Sequence, residues 1–473
     1  MKKITVKILC MLLAAASVSV CAISCAKDGG ETQQTDSEVV TEAAEAPDYG
    51  GAEFLILASN QDNRHRDFYV EEGVTNEFSN LIYKRNQRLQ EKYNVKLTVN
   101  DEDYLVVNQM VEYDVASGSH SFDMCSANST IFPLALSGYL MDLEAVDEIK
   151  LDEVWWNQNC RDSLSLGGKL YTATGDISPM GLLTSGAVLF NKRLLSNSKI
   201  EFPYNDVYEG NWTLDRLYEL TKDLTVNTDG IDGIDPQNDV VSIIMWKYSA
   251  ETMASAAGAT FISKDEKDFP VLAWDIENYS NIYGKLYKVF NSNGGYIEAD
   301  IKYYPDVFKS FSNGHAYFLP CSLLVIENFL KGMEDDFGIL PMPKLDSEQK
   351  EYSSGVSKAI SLFLIPARGE SDVSMIGTLM EAFAEESYNT VTPYLTDTMA
   401  SVKNVRDEDS QRVVLEYIFR NDSFDLGNMY EVPGYLFAVD LIIKDYTSIG
   451  NYFPERRSSA EAKLREIYEL INS

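Results

Sequence analysis

EFLILA, residues 53–58, places five apolar residues behind Glu53 and runs straight into the polar stretch SNQDN, residues 59–63. A short apolar run closed off by polar residues reads as a strand buried on both faces. Phe78 to Lys92 then repeats apolar side chains at helical spacing, and VKLTV, Val95 to Val99, is strand-like again. Strand, helix and strand in that order predict a parallel pair joined by a right-handed crossover. FDMCSA, Phe122 to Ala127, reads as a third strand and is followed by the polar Asn128, Ser129 and Thr130. Ligands of an open parallel sheet sit beyond the carboxyl ends of its strands. The polar residues after Ala58 and after Ala127 are therefore expected to face one crevice.

The composition limits what such a sheet can serve. Of 473 residues, 73 are Asp or Glu and 40 are Lys or Arg, a formal net charge of −33. That charge repels nucleic acid and anionic lipid alike. With 45% apolar residues, the chain can fill two cores. The histidines His65, His120 and His315 lie far apart and form no HxxH or HExxH pattern. A zinc site or a Ser/His/Asp hydrolase has too little to be built from, and neither a metal nor a cofactor is expected. Cys125, Cys160 and Cys321 lack metal spacing and are expected as buried free thiols.

The first 24 residues read as a secretory signal. Lys2, Lys3 and Lys7 form a basic head, and Ile8 to Val20 is apolar but too short to span a bilayer as a stable helix. The sequence Ala22-Ile23-Ser24-Cys25 resembles a bacterial lipobox, with Ala22 where Leu is usual. The resemblance implies cleavage before Cys25 and acylation of that cysteine; the rivals are Cys21 and an unlipidated secreted chain. Cleavage at Cys25 leaves 37 basic against 73 acidic residues, a net charge of −36. Residues 26–48, with little to bury, read as a disordered spacer. The expected location is the cell envelope, lipid-anchored on the outer face of the cytoplasmic membrane.

The middle of the chain resembles a known family. GGKLYTATGDIS (Gly167 to Ser178), GAVLFNKRLL (Gly186 to Leu195) and NWTLDRLYELTKDL (Asn211 to Leu224) are similar in order and spacing to a run found in family 1 extracellular solute-binding proteins of carbohydrate ABC transporters, the maltodextrin-binding-like group. Phe190 stands for the family's Tyr, and Leu214-Asp215 for its x-Glu. IIMWKYSAETMASAAGATFI (Ile243 to Ile262) resembles the family's Trp-rich helix. FKSFSNGHAYFLPCS (Phe308 to Ser322), FGILPMP (Phe337 to Pro343) and FDMCSANSTIFPLALSGYLMDL resemble three further elements. The resemblance implies an α/β, periplasmic-binding-protein-like type II fold of two lobes, with a hinge crossed more than once. It places residues 50–174 plus 357–420 in one lobe and 175–356 plus 421–473 in the other, behind a signal peptide (1–24) and a lipidated linker (25–49). Its partners are a carbohydrate ligand and a permease, and the chain is expected as a monomer. Residues alone account for some of these features. Trp212 reads as core beside a Thr213 helix cap, Gly314 as a tight turn, and Pro341 and Pro343 as extended chain.

A sugar site needs flat apolar faces for C–H surfaces and planar polar groups that reach hydroxyls. The candidates at strand ends are Asn60, Asn63, Ser126 and Asn128 in the first lobe, and Asp176, Trp246, Ser322, Tyr352 and Tyr435 in the second. Trp246 leads, because the resemblance puts the helix from Ile243 on the cleft. Trp155-Trp156 is an alternative platform, but neighbours point different ways and core packing is favoured. The Asp-rich loop NTDGIDGIDPQND (Asn227 to Asp239) fails the EF-hand spacing, and the resemblance leaves a looser calcium site there as the alternative. Two function classes remain: a binding lipoprotein of an ABC importer, for a sugar or another solute, or an extracellular glycoside-processing enzyme built on a carboxylate pair. No catalytic signature surrounds any of the acids.

Overall fold

The structure is a computed structural model that describes residues 46–69, 76–291, 294–356, 358–369, 373–399, 407–419, 421–434, 441–442 and 446–472. The signal, Cys25 and nearly all of the spacer lie outside these residues. Among them no helix is long and apolar enough to cross a membrane.

The chain opens with β1 (Ala52–Ser59), α1 (Glu77–Tyr93), β2 (Val95–Glu102), α2 (Tyr104–Ser117) and β3 (Met124–Ala127). β1 pairs parallel with both β2 and β3, as the strand-helix-strand pattern predicts. Local chemistry sets the limits of α1. The Asn76 side chain accepts from Ser79 N at 2.9 Å, and Asn94 takes a left-handed φ of 46° and turns the chain into β2. Its inward face carries Phe78, Ile82, Leu89 and Tyr93, and also a fully buried Arg85. That guanidinium donates to Ser387 Oγ at 2.8 Å and lies over the rings of Phe68 and Phe383.

The second set of elements is β4 (Gly186–Asn191), α3 (Leu214–Thr221), β5 (Val241–Trp246), α4 (Lys247–Ala256), α5 (Ile276–Asn291), β6 (Tyr296–Glu298), β7 (Ala316–Ser322) and β8 (Phe337–Pro341). The sheet order is β8-β4-β7-β5-β6, with β4 antiparallel to both neighbours and β5 parallel to both of its own. Trp212 is fully buried and its indole donates to Pro341 O at 2.8 Å, while Thr213 caps α3. Gly314 turns with φ +75° before β7. Ile243–Ile262 departs from the expected helix, because its first part is strand β5. VSIIMW fills a slot between β7 and β6, and an apolar run of that length has no period of its own to tell strand from helix.

The chain returns through β9 (Ser354–Gly355) and β10 (Leu362–Leu364), then α6 (Ser374–Thr390), α7 (Glu408–Val413), β11 (Asp422–Ser423) and α8 (Ile449–Ile471). β10 closes the first sheet, in the order β10-β3-β1-β2, antiparallel to β3. Three crossing segments lie side by side at the back: Ala173 bridges Phe363, Ser185 bridges Val356, and β9 pairs with β11. Gly355 is required there, since a Cβ would stand 2.4 Å from Thr252 O of α4. Within residues 357–420, assigned to the first lobe by the resemblance, the last part contacts the second sheet. α7 packs on β8, with Ile339 N donating to Ser410 Oγ at 2.9 Å and Lys192 paired to Asp407 at 2.6 Å. Cys125, Cys160 and Cys321 are free and buried, and burial raises each thiol well above the ordinary range.

Candidate functional site

A cleft of about 580 Å³ opens between the two sheets. The parallel strands reach it at their carboxyl ends, so β1 delivers Gln61, β3 delivers Asn128, β5 delivers Trp246 and β7 delivers Ser322. The antiparallel strands run the other way and reach it where they begin, β4 at Gly186 and β10 after Lys358 and Ala359. The crevice expected beyond Ala58 and Ala127 is this one.

The two faces differ in kind. On the first-lobe side Asn128 Nδ2 donates to Gln61 Oε1 at 2.8 Å, and Asn128 Oδ1 accepts from Thr130 N at 2.9 Å and from its hydroxyl at 2.6 Å. Behind this pre-bonded surface, Asn108 Nδ2 donates to Thr130 Oγ1 at 2.7 Å. Opposite stand Trp246, Tyr248 and Phe308. Trp246 meets Tyr248 edge-on at 5.6 Å and Tyr304 at 5.8 Å, with the Lys247 ammonium 5.4 Å from its ring. Indole and phenol faces held in this way suit the C–H surface of a sugar ring.

Two titratable side chains flank the rear. Lys358 pairs with Glu431 at 2.9 Å. Glu251, on α4, lines the cleft with its carboxyl pushed up to about 8 by burial, against the opposing pull of Lys358 and Lys247. Its Oε1 is enclosed and has no hydrogen-bond partner among the described residues.

Of the residues expected from sequence, Asn128, Trp246 and Ser322 line the cleft. Trp246 does so from a strand end rather than a helix. Asn60 and Asn63 do not: both are exposed on a short turn where Asp62 and Asn63 take left-handed φ values of 52° and 62°, and Gln61 between them faces the cleft instead. Ser126 is buried and accepts from Ser59 N at 3.1 Å, stitching β1 to β3. Asp176 is buried and accepts from the Thr392 hydroxyl at 2.6 Å, a bond that fixes a crossing segment. Tyr352 is buried within the second lobe, its hydroxyl donating to Val207 O at 3.2 Å. Tyr435 lies outside the described residues. Tyr248, Glu251, Phe308, Lys358 and Asn428 were not anticipated, and only Tyr248, two residues from Trp246, carried a signal.

Both indoles of Trp155-Trp156 donate to the Glu381 carboxylate, each at 2.8 Å, so neighbours expected to diverge converge on one acceptor away from the cleft. In the Asp-rich loop, Asp239 accepts from Asp235 N at 2.9 Å and Thr228 N at 2.7 Å, bonds that hold its carboxyl below the usual range. Among the described residues no group of three or more His, Cys, Asp or Glu is placed to hold a metal ion.

No protein-family model matches the sequence, and no curated protein matches it. Solved structures do. The chain is similar to an ABC substrate-binding protein from Listeria monocytogenes in complex with cycloalternan, with 14% identity, TM-score 0.53, and 89% of this chain and 99% of that one covered. It is similar to the maltose-binding periplasmic protein of the same organism in complex with maltose, with 14% identity, TM-score 0.55, and 88% and 98% covered. A cyclic alpha-maltosyl-1,6-maltose binding protein from Arthrobacter globiformis matches at 9% identity and TM-score 0.57, with 88% and 100% covered. The fold is thus the two-lobed maltose-binding-protein-like one.

Proposed function

We propose that this chain is the substrate-binding lipoprotein of an ABC importer, which captures a sugar or oligosaccharide between its lobes and delivers it to a membrane permease. The observation that carries the reading is the cleft at the strand ends, where Trp246 and Tyr248 face the bonded amides of Gln61 and Asn128. Flat apolar surface against planar hydrogen-bonding groups is the arrangement a pyranose needs. The sugars bound by proteins of this fold support the same reading. Closure of the lobes by hinge rotation would bury the ligand and create the surface a permease recognises. In that scheme Cys25 carries the lipid, residues 26–48 act as the tether, and residues 50–174 and 175–356 hold the cores of the two lobes.

Thermal unfolding with maltose, maltotetraose, raffinose and their component monosaccharides tests the ligand class. A sugar that binds only the folded form raises the melting temperature. An unmoved transition across that panel favours a non-sugar solute, and turnover of an oligosaccharide after overnight incubation favours the glycoside-processing enzyme. Anchoring is tested separately by labelling cells with a fatty acid. Cys25→Ala should lose the label and release the protein from the membrane fraction, and retained label would move the anchor elsewhere.

A further inference from the structure

We propose that Glu251 and Asn428 form a subsite at the rear of the cleft for the hydroxyl groups of a neutral polyhydroxyl ligand, each residue accepting from one hydroxyl and the Glu251 carboxyl donating to a ligand oxygen. The inference rests on the binding-protein reading and names the chemistry its ligand must bring. Both residues line the cleft, and both present an acceptor, Glu251 Oε1 and Asn428 Oδ1, that is shut off from solvent and unpartnered among the described residues. An enclosed acceptor left without a donor costs folding free energy. Two in one cleft wall mark where a ligand's donors belong.

They lie against the same backbone. Thr252, next to Glu251, touches Gly355, and the Asn428 amide reaches the carbonyl of Val356, the next residue, at 3.5 Å. The charges facing Glu251 are Lys247 on its own helix and Lys358 on the returning chain, whose ammonium is bonded to Glu431. Tyr283 on α5 is the further titratable group in its field. The Lys247 ammonium disfavours a cationic ligand there, the Lys358 charge being balanced by Glu431, and a chain of net charge −33 disfavours an anionic one. Hydroxyl donors fit both conditions. Burial raises the Glu251 carboxyl to about 8, so near neutral pH it keeps its proton and can donate as well as accept.

The test is the affinity of the panel sugar that shifts the melting temperature most, measured by calorimetry from pH 6 to 9.5 on three proteins. Wild type should hold constant affinity up to about pH 8 and then weaken, by at most about tenfold per unit, as the proton that Glu251 donates to the ligand is lost. Glu251→Leu, which removes both oxygens, should weaken binding about tenfold or more at pH 6.5. Glu251→Gln, which donates and accepts but cannot ionise, should remove the alkaline fall whatever its starting affinity. Unfolding without ligand checks that each variant folds. A fall that persists in Glu251→Gln, or wild-type affinity in Glu251→Leu, overturns the subsite and leaves sugar binding intact. Binding of no sugar by wild type at any pH overturns both.

Discussion

The two walls of the cleft are opposites. The first-lobe wall, from Gln61 through Asn128 to Thr130, has most of its polar groups bonded to one another. The second-lobe wall offers aromatic faces and, behind them, an acid with one oxygen unpaired. A surface that has already made its hydrogen bonds is rigid and must exchange them to take a ligand. A surface of indole and phenol gains directly when water leaves it. The expectation is that affinity comes mostly from the second wall and orientation mostly from the first.

The largest effect expected is a control in the core behind the second wall. Trp212→Ala should cost about 3–5 kcal/mol of folding stability through the cavity it leaves, while affinity per folded molecule is unchanged. Urea unfolding paired with calorimetry separates the two quantities, and a loss of affinity would mean that the core steers the cleft. Gly355→Ala comes next. Its methyl would meet the backbone of α4 at Thr252, with an expected cost of about 1–3 kcal/mol in stability and a drop in affinity as the aromatic wall shifts. Trp246→Ala should weaken sugar binding by about 1–3 kcal/mol with little change in unfolding. The reverse result would return Trp246 to the core and remove the main support for the division between walls. Asn128→Ala should cost only about 1 kcal/mol of affinity, because the Gln61 amide it frees can turn to the ligand. A loss as large as that for Trp246 would equalise the walls.

The last expectation is a slope with pH. Burial raises the carboxyls of Asp67, Asp422 and Asp425 from 3.8 to about 6. A carboxyl that holds its proton more tightly folded than unfolded stabilises the fold below about pH 4, and that contribution is lost as the pH rises through about 6. Relief of the negative net charge acts in the same direction. Stability should therefore increase on going from pH 7 to 5, as read by the melting temperature without ligand. A decrease would show that carboxylates held below the usual range, such as Asp407 paired with Lys192 at 2.6 Å, outweigh the buried acids.

The sequence was most legible where period and position coincide. β1, α1, β2 and β3 follow from apolar spacing alone, and the strand ends they define led to Asn128. Ser322 and Trp246 were reached through resemblance, the second from a helix that turned out to be a strand. The differences in placement have local causes. Asn60 and Asn63 bracket the residue that lines the cleft, Gln61, because the turn that presents it depends on two left-handed residues that no period announces. Tyr352 looked like a platform because aromatic residues suit both a core and a cleft, and only tertiary packing under Trp212 decides between them. Glu251 was invisible among 73 acids. Its distinction is that α4 turns it toward the returning chain, a fact of assembly that no stretch of ten residues contains.

Trp246 also makes the molecule its own optical instrument. The chain has five tryptophans. Trp155 and Trp156 are tied to Glu381, Trp212 is sealed in the core, and Trp274 packs on Phe453. Trp246 alone among them stands in the cleft, half-exposed beside a lysine ammonium. A ring of sugar laid on that indole would strip its water and change the polarity it reports, so the emission spectrum should move with occupancy while the other four indoles supply a constant background. Binding could then be followed without label, in real time, and lobe closure timed against it by rapid mixing.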